Sequence, residues 1–429
     1  METPLVQAIG TDGDKHGASP AERYIKVRSF TEHLCDPLVP EDCVIQTMED
    51  VSPTKWHLAH TTWFFETFVL SRFVEGYEPF DEQFAYLFNS YYVQAGDRHC
   101  RPKRGLLSRP TVEEVYEYRG YVDRHMQELL MASGNLDSEL QRRVDLGLNH
   151  EQQHQELILT DVKHVLSENP LHPVYKDGQM IGHGALPPDM RWIEFDGGLC
   201  EVGYAGDGFF YDNERPVHKY YLEPFAVGSR LVTNREYVAF MEDGGYDRQE
   251  IWLSEGWAAR VEHGWRAPGY WESMNGSWHS FTLRGHRQVN LDEPVTHVSY
   301  YEADAYARWA GARLLTEFEW EVASAEVPMK GNFVEEENFH PIPVASQGSE
   351  LAQMFGDVWE WTRSQYSPYP GYNPEPGALG EYNGKFMCNQ FVLRGGSVAT
   401  SSTHIRRSYR NFFYPGARWQ FTGIRLAKI

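Results

Sequence analysis

Residues 149–156 have the sequence Asn-His-Glu-Gln-Gln-His-Gln-Glu. They lie in a run, residues 140–166, that contains no proline and no glycine after Gly147, which predicts one continuous helix. Side chains four residues apart lie one turn above each other on a helix, so His150 and His154 point to a common position. Such a pair is typical of a divalent metal site. The alternative is that both histidines lie on a solvated helix face.

A second apolar helix, predicted for residues 52–73, contains a further histidine, His60. Ser52 is expected to cap this helix, with Pro53 at its first position. The residues that share a helix face with His60 are Trp56, Trp63 and Phe64. This pattern places His60 in a packed interior, where a neutral imidazole needs a partner for each ring nitrogen.

Together these histidines give the first hypothesis for a site, a metal bound by His60, His150 and His154. The alternative is a hydrogen-bonded core histidine at position 60 beside an unrelated pair on the other helix. His57 lies nearly one turn from His60. We expect it either at the surface or as a group that orients a metal ligand without contacting the metal.

The composition of the chain excludes several classes of protein. Its 429 residues are too many for one ordinary domain and predict two or three. The formal net charge of -22 argues against binding to nucleic acids or to anionic membranes. No apolar run has the length of a membrane span, and the N-terminus lacks a signal-peptide pattern. The five cysteines are scattered without CxxC spacing, which favours free thiols in a reducing cytoplasm.

The N-terminal half has the pattern of four amphipathic helices. These predicted helices are residues 21–35, 52–73, 111–133 and 140–166. The third begins with a capping box formed by Thr111 and Glu114. Four such helices predict a four-helix bundle over residues 20–170, and bundle interiors commonly contain metal sites. Residues 1–19 are rich in Gly, Asp and Ser and are predicted to be disordered.

The connection between the second and third helices, residues 74–110, is unusually long and is therefore a candidate functional segment. It contains Tyr91 and Tyr92, followed by a basic cluster. The members of this cluster are Arg98, Arg101, Lys103, Arg104 and Arg109. In so acidic a protein these side chains are candidates for binding a carboxylate, and the alternative is a solvated loop.

The C-terminal half has a different pattern. Its composition predicts a linker over residues 171–189, followed by short strands with many glycine and aromatic residues over residues 190–429. The predicted helices in this half are residues 233–241, residues 301–310 and a short helix capped by Thr316. This pattern is typical of an α+β or mainly irregular domain held together by aromatic packing.

Several motifs follow one another in the C-terminal half. They are Asn-Arg-Glu-Tyr at 234–237, Pro-Val-Thr-His-Val-Ser at 294–299, Arg-Leu-Leu-Thr-Glu-Phe-Glu-Trp-Glu at 313–321, Gly-Asp-Val-Trp-Glu-Trp at 356–361 and Arg-Gly-Gly-Ser at 394–397. In these motifs, residues 190–429 resemble the formylglycine-generating-enzyme and sulfatase-modifying domain, a variant of the C-type lectin fold. Formylglycine generators carry a copper-binding cysteine pair after Gly-Gly-Ser, whereas residues 394–410 contain no cysteine. The resemblance therefore implies a different activity.

The N-terminal half resembles the DinB-type helical bundle. With residues 56–66 and 150–156 as its metal motifs, the whole chain resembles the EgtB family, the sulfoxide synthases of ergothioneine biosynthesis. The resemblance implies Fe(II) bound by three histidines. It also implies that O2 is used to join the sulfur of cysteine or γ-glutamylcysteine to the imidazole of hercynine (Nα-trimethylhistidine), giving a sulfoxide. Histidine ligands alone equally permit zinc, so the choice of iron rests on the resemblance.

The resemblance also implies roles for single residues. Gln153 is similar to a glutamine that helps to hold the hercynine carboxylate, and Asn411 to an asparagine beside the trimethylammonium group. Phe413 stands where some members have an aspartate. With Phe412, it is either a cation–π partner for the quaternary ammonium or ordinary core packing. Glu156 and the neighbouring glutamines are expected to orient the metal-binding histidines.

A tyrosine near the iron is implied as the proton donor of the reaction. The candidates are Tyr91 and Tyr92 in the long connection, or Tyr366 and Tyr369 after the Gly-Asp-Val-Trp-Glu-Trp motif. The first pair is favoured, because the residues before it and Phe413 both resemble the subgroup that uses this loop.

For the carboxylate of the thiol substrate, Arg98 and Arg101 are the candidates.

Three other functions stay open at this point. One is a related synthase that forms the histidine–sulfur bond at another carbon or uses a selenium donor. Another is a DinB-type zinc hydrolase or transferase that acts on a thiol. The last is a non-catalytic lectin-like module with a structural metal. Metal analysis and O2 uptake with hercynine and cysteine separate these functions.

Overall fold

The structure, a computed structural model, describes residues 18–132, 136–178, 186–344, 351–374 and 377–429. Residues 1–17 of the predicted disordered segment and residues 179–185 of the predicted linker lie outside these ranges. Within the described ranges, the first half of the chain is mainly helical, and strands with short helices follow from Trp192 onwards. The predicted order of a helical bundle and a mixed α and β domain is therefore confirmed.

The described part of the N-terminal half contains six α-helices. They are α1 (Pro20–Cys35), α2 (Thr54–Phe65), α3 (Ser71–Phe73), α4 (Phe84–Phe88), α5 (Val112–Ala132) and α6 (Ser138–Glu168). Helices α1, α2, α5 and α6 pack against one another as a four-helix bundle. The predicted capping box of α5 is confirmed, because Thr111 and Glu114 each accept a backbone N–H from the other residue.

The start of α2 differs from the prediction. Pro53, and not Ser52, precedes the first helical residue, and no side chain caps the helix. The backbone N–H of Ser52 donates instead to Oδ2 of Asp161 on α6, at 2.9 Å. The predicted cap at Ser52 was therefore wrong, since this residue precedes the helix and contacts α6 instead. Beyond Phe65 the chain continues as one π-helical segment, Glu66–Leu70.

Gly147 allows α2 and α6 to approach each other closely. A Cβ atom at this position would lie 2.5 Å from Cε1 of Phe65 and 3.0 Å from Cε1 of Phe64. Carbon atoms do not pack at such distances, so any side chain here would push the two helices apart. Because His60 lies on α2 and His150 on α6, the contact at Gly147 helps to set the distance between their imidazoles.

A buried ionic network fixes α6 against α1 and α5. Glu151 of α6 accepts from Nη1 of Arg28 at 2.9 Å and from Nη2 of Arg119 at 3.1 Å. Burial alone would raise the pKa of Glu151, but the two guanidinium charges and the hydrogen bonds from Arg28 and Thr31 lower it to about 2. The carboxylate is thus ionised and fully paired, next to His150 in the sequence.

The C-terminal half is built from short strands and four helices within the described residues. The strands are β1 (Trp192–Phe195), β2 (Gly198–Val202), β3 (His218–Leu222), β4 (Phe225–Gly228), β5 (Trp271–Met274), β6 (Ser277–Thr282), β7 (Gly285–Gln288), β8 (Arg313–Leu314), β9 (Trp359–Gln365), β10 (Phe391–Arg394), β11 (Asn411–Phe413), β12 (Thr422–Gly423) and β13 (Leu426–Lys428). The helices are α7 (Asn234–Glu242), α8 (Ser254–Glu262), α9 (Tyr300–Trp309) and α10 (Glu317–Ala323).

The largest sheets among the described residues of this half are two four-stranded sheets. Their strand orders are β1-β4-β13-β8 and β11-β10-β9-β12. Strands β2 and β3 form a two-stranded sheet, and β5, β6 and β7 form a three-stranded sheet. In the second four-stranded sheet, β11 is an edge strand and pairs with β10 so that Phe412 lies opposite Val392.

Helix α6 contacts both halves of the molecule. Besides its packing in the bundle, it reaches the C-terminal half through Gln152, which donates to Ser401 at 2.9 Å, and through Lys163, which lies 2.6 Å from Nε2 of His297. One helix therefore carries two of the three histidines and part of the contact with the second half.

Among the described helices, none combines the length and the apolar character that crossing a bilayer requires.

Candidate metal centre

Three histidines meet between α2 and α6. His60, His150 and His154 are buried, and one candidate ligand nitrogen from each lies within 4.8 Å of the other two. The Nε2 atoms of His60 and His150 are 3.2 Å apart. The structure thus brings together the three residues that the sequence proposed as a metal triad.

Burial holds these three imidazoles in the neutral form. It lowers the pKa of His150 to about 3. Burial and the neighbouring histidines lower the pKa values of His60 and His154 well below 6.5. A neutral imidazole offers a lone pair to a metal, so all three side chains have the protonation state of a ligand.

The orientation of His60 is fixed by a hydrogen bond and by ring packing. Its Nδ1 atom donates to the backbone carbonyl of Phe88, at 2.6 Å, which leaves the lone pair on Nε2 facing His150. The ring stacks on Trp56 and Trp63, with centroid distances of 4.5 and 5.4 Å. The predicted packed interior around His60 is confirmed.

His154 is held from outside the triad by His57. The Nδ1 atoms of the two histidines are 2.8 Å apart, and Nε2 of His57 lies 3.0 Å from Oδ2 of Asp161. His57 is only 2% exposed, so the surface position considered for it was wrong. Its contacts fit the other expectation, a group that orients a metal ligand. Asp161 was not anticipated, because it lies about two turns beyond His154 and belongs to no motif.

The donor set fits a divalent metal with open coordination positions. The lone pairs of three neutral imidazoles converge in a buried space, and a cation at that point would pair with all of them. Three imidazoles leave one position on a tetrahedral metal and three on an octahedral metal. The geometry and ligand types suit Zn²⁺ and Fe²⁺ alike.

One arginine of the basic cluster lies beside the triad. Arg104 is buried, its guanidinium carbon lies 3.3 Å from the ring centroid of Trp56, and its Nη1 donates to Oγ of Ser52 at 2.9 Å. Burial, followed by the charge of Arg101, lowers the pKa of Arg104. By contrast, Arg98 and Arg101 are exposed, and each donates to a nearby backbone carbonyl. The arginine of the basic cluster that is buried beside the triad is therefore not one of the two proposed from the sequence.

The tyrosine pair of the long connection packs on the aromatic wall of the triad. Tyr92 is buried and its ring centroid lies 5.7 Å from that of Trp63, which stacks on His60. Tyr91 is half-buried and stacks on Tyr92 at 4.6 Å. One aromatic ring therefore separates Tyr92 from a candidate metal ligand.

The alternative tyrosines pack inside the C-terminal half. The hydroxyl of Tyr366 accepts from Nδ2 of Asn213 at 2.8 Å, and its ring stacks on Phe412 at 4.1 Å. The hydroxyl of Tyr369 donates to Glu317 at 3.3 Å. These contacts give both tyrosines a packing role within their own half of the molecule.

A further tyrosine beside the triad was missed by the sequence reasoning. The ring of Tyr382 lies 5.7 Å from that of His150, and its hydroxyl donates to Oε1 of Gln153. The Nε2 atom of Gln153 donates in turn to the hydroxyl of Tyr409, at 2.5 Å. Tyr382 lies in a connection between short 3₁₀ turns, and no spacing in the sequence marks it out.

Strand β11 contains the remaining predicted residues, Asn411, Phe412 and Phe413, all of them half-buried. The side-chain oxygen of Asn411 accepts the backbone N–H of Phe412, at 2.9 Å. Phe413 packs edge-on against Trp419 at 5.6 Å, and the indole N–H of Trp419 donates to Asp161 at 3.3 Å. Phe413 therefore adjoins the residues that hold the metal centre.

Glu156 contacts the C-terminal half and not the histidines. Its carboxylate accepts from the indole N–H of Trp359, from Oγ1 of Thr400 at 2.7 Å and from Oγ of Ser397 at 3.1 Å. Burial raises its pKa. The expectation that Glu156 orients an imidazole is corrected by these contacts, since its position on the helix turns it away from the triad and into the domain contact.

Comparison with known proteins agrees with this architecture. Residues 23–158 match the family described as the DinB superfamily. Residues 185–347 and 335–429 match the Sulfatase-modifying factor enzyme 1-like domain, and this match covers more than half of the chain.

Individual relatives match one or both halves. A hercynine oxygenase of Mycolicibacterium thermoresistibile is 32% identical over 452 residues, which cover 96% of this chain and 95% of that protein. A hercynine oxygenase of Mycolicibacterium smegmatis is 36% identical over 315 residues, or 66% of this chain and 71% of that protein. The formylglycine-generating enzyme of Streptomyces coelicolor is 30% identical over 275 residues, or 53% of this chain and 84% of that enzyme.

The chain joins a DinB-type bundle with three converging histidines to a sulfatase-modifying-factor-like domain, and its similarity to hercynine oxygenases over both halves makes it an oxidoreductase. The chain belongs to the EgtB family, whose matching members are hercynine oxygenases. The family and the enzyme class predicted from the sequence are confirmed.

Proposed function

We propose that the protein is a non-haem Fe(II) enzyme of ergothioneine biosynthesis. It uses O2 to join the sulfur of cysteine or γ-glutamylcysteine to the imidazole of hercynine, giving a sulfoxide. The observation that carries the proposal is the buried triad of neutral histidines in a chain that matches a hercynine oxygenase over almost its whole length. Iron(II) in this triad would supply the redox chemistry that O2 requires and would keep positions open for ligands.

Hercynine binding is supported by residues of both halves. Gln153 is one residue before His154, and its amide is oriented by Tyr382 and Tyr409. An amide nitrogen carries two hydrogens, so one remains for the carboxylate of the substrate when the other is donated to Tyr409. The quaternary ammonium then lies towards β11, where Phe413 offers an aromatic face worth about 1–2 kcal/mol in cation–π attraction.

Phe412 supports this binding site indirectly. Its ring is already stacked on Tyr366, at 4.1 Å, and this packing favours the core role that was considered for it. Asn411 lies in the same strand and is the neighbouring polar group for the ammonium head.

Arg104 is the arginine that best fits the carboxylate of the thiol substrate. It is buried beside Trp56, where water competes little, so its guanidinium can form strong charge-assisted hydrogen bonds with an incoming carboxylate. Arg98 and Arg101 are exposed. Their role in this proposal is to contact the glutamyl part of a longer thiol outside the buried site.

The tyrosine pair supplies the proton. Tyr92 is buried within the aromatic wall beside His60, which holds its phenol group in a fixed position from which it can donate a proton. Tyr91 stacks on it and contacts Phe386, at 5.1 Å, on the C-terminal half. A phenol held in this way directs the reaction towards the sulfoxide and away from simple oxidation of the thiol.

The test is O2 uptake by the full chain. The protein is first loaded with iron(II) under anaerobic conditions, and O2 is then added. We expect uptake that requires both hercynine and cysteine or γ-glutamylcysteine, with a sulfoxide product identified by mass spectrometry. His154→Ala, prepared in the same way, is the control and is expected to consume no O2. An iron-loaded protein that consumes no O2 with either thiol contradicts the proposal, and thiol hydrolysis or transfer restored by zinc would favour the zinc enzyme instead.

A further inference from the structure

A line of three polar contacts leads from the triad to the C-terminal half. Nδ1 of His154 lies 2.8 Å from Nδ1 of His57, and Nε2 of His57 lies 3.0 Å from Oδ2 of Asp161. The indole N–H of Trp419 donates to Oδ1 of the same carboxylate, at 3.3 Å. His57 and Asp161 are each 2% exposed, so bulk water does not compete for these hydrogen bonds.

The carboxylate decides which atoms donate along this line. Oδ2 of Asp161 also accepts the backbone N–H of Ser52, at 2.9 Å, and Oδ1 accepts from Trp419, so this carboxyl group is the acceptor of its hydrogen bonds. Nε2 of His57 therefore carries its hydrogen, and in a neutral imidazole Nδ1 is then an acceptor. Nδ1 of His154 donates to it. This leaves the lone pair of His154 on Nε2, available to a metal.

We propose that Asp161 and His57 are positioning residues for the metal centre. They set the tautomer and the ring orientation of His154, and thereby the strength with which the site holds a divalent metal. Neither residue touches the metal or a substrate. Because Trp419 donates to Asp161, packing of the C-terminal half stabilises the same line of hydrogen bonds.

This inference depends on a divalent metal at the three histidines but not on any particular reaction. It is therefore tested by metal affinity, without substrate. The full-length protein is titrated with Co(II) against a chromophoric chelator, and the absorption spectrum of bound Co(II) reports the coordination geometry. Absence of O2 uptake would contradict the proposed function and leave this measurement unaffected.

Two variants interrupt the line of contacts. His57→Phe keeps the aromatic volume and removes both hydrogen bonds. Asp161→Asn keeps the shape of the side chain but replaces one acceptor oxygen by an NH2 group. This group would face a donor, whether that of Trp419, Ser52 or His57. Each is expected to weaken Co(II) binding by about 10- to 100-fold and to change the Co(II) spectrum.

A third variant separates positioning from packing. In His57→Gln, the side-chain carbonyl can accept from His154 while the amide donates to Asp161. We expect its Co(II) affinity to stay within about threefold of the wild-type value, well above that of His57→Phe. A residue that only fills space would give the reverse order. His164→Phe is the matched control on α6, since His164 pairs with Thr47 at 2.7 Å and lies outside the line.

The outcomes that overturn the inference are specific. One is a Co(II) affinity within about twofold of the wild-type value in both His57→Phe and Asp161→Asn. The other is His57→Gln binding as weakly as His57→Phe. If Asp161→Asn does not fold, Trp419→Phe replaces it, because it removes the indole donor and keeps an aromatic ring at this position. Weaker Co(II) binding in that variant supports the inference, and unchanged binding contradicts it.

Discussion

At the scale of single residues, two adjacent tyrosines have different surroundings. Tyr92 is fully buried and packs against Trp63 and Phe68, at centroid distances of 5.7 and 5.3 Å. Tyr91 is half-buried and faces Phe386 of the C-terminal half. A proton donor needs a fixed position close to the reacting atoms, and tight packing supplies that position. Tyr92 is therefore the better candidate of the pair.

Replacing Tyr92 by Phe removes the hydroxyl and keeps the packing of the ring. We expect sulfoxide formation to fall by roughly 100-fold, with oxidation of the thiol alone rising as a share of the products. The measurement is the ratio of the two products by mass spectrometry at equal O2 uptake. Tyr366→Phe is the matched control, because Tyr366 packs inside the C-terminal half, and we expect its ratio to be unchanged. If the product ratio changed in the Tyr366 variant and not in the Tyr92 variant, Tyr366 would be the proton donor instead.

The triad residues could be predicted from the sequence because short-range geometry determines them. His150 and His154 are four apart in a helix, and the aromatic face of α2 directs His60 inward. Arg104 could not be separated from Arg98 in the same way. Whether a loop arginine lies against Trp56 or in solvent depends on the path of the whole connection, which local sequence does not encode.

At the scale of elements, the spacing of two helices controls the metal centre. Helices α2 and α6 are in close contact at Gly147, one turn before His150. Gly147 is costly for helix formation, by about 1 kcal/mol relative to alanine, and its small size compensates by allowing Phe64 and Phe65 to approach. A glycine that is unfavourable for the helix itself thus allows the close approach of α2 and α6 on which the triad depends.

Gly147→Ala is expected to destabilise the protein although alanine favours helices. The added methyl group would lie 2.5 Å from Phe65, and such overpacking costs about 1–3 kcal/mol, more than the propensity contributes. We also expect weaker Co(II) binding, because α2 moves away from α6. Urea unfolding of the metal-free protein and Co(II) titration measure the two effects.

The control for this prediction is Gly120→Ala on α5. Apart from the neighbouring backbone of α5 itself, no described atom lies within 4 Å of a Cβ placed at Gly120, so this variant should be stabilised by up to about 1 kcal/mol with unchanged Co(II) affinity. If both variants behaved alike, the contact at Gly147 would have no special role in holding the two helices at their distance.

At the scale of the whole molecule, one helix both forms the metal centre and joins the two halves. The helical periodicity of α6 could be predicted, but not which of its faces meets the second half. Glu156 illustrates the limit, because its partners Trp359, Ser397 and Thr400 are more than 200 positions away. Only tertiary packing decides that its carboxylate turns towards them and not towards His154.

The contact at Glu156 makes the junction of the two halves sensitive to one side chain and to pH. In Glu156→Ala, the donors of Trp359, Ser397 and Thr400 lose their acceptor, so we expect the free energy of unfolding to fall by about 2–4 kcal/mol. In Glu156→Gln, the side-chain carbonyl still accepts from two donors and the amide nitrogen donates to the hydroxyl of Thr400. We therefore expect a much smaller decrease in the free energy of unfolding. Denaturant unfolding measures both, with Glu168→Ala, an exposed position at the end of α6, as the control.

The pH dependence follows from the direction of the pKa shift. Burial raises the folded-state pKa of Glu156 above 4.5, so just above pH 4.5 the folded state binds more protons at this site than the unfolded state. The free energy of unfolding should therefore decrease with rising pH through that window, and then level off once the folded carboxyl has ionised. The side chain of Glu156→Gln cannot ionise, so the variant does not lose stability in this way. As pH rises, its free energy of unfolding should therefore increase relative to that of the wild type. If the difference in free energy of unfolding between the variant and the wild type were constant from pH 4 to pH 7, this carboxylate would not be desolvated. The two halves would then be held together at Glu156 less tightly than its three hydrogen bonds indicate.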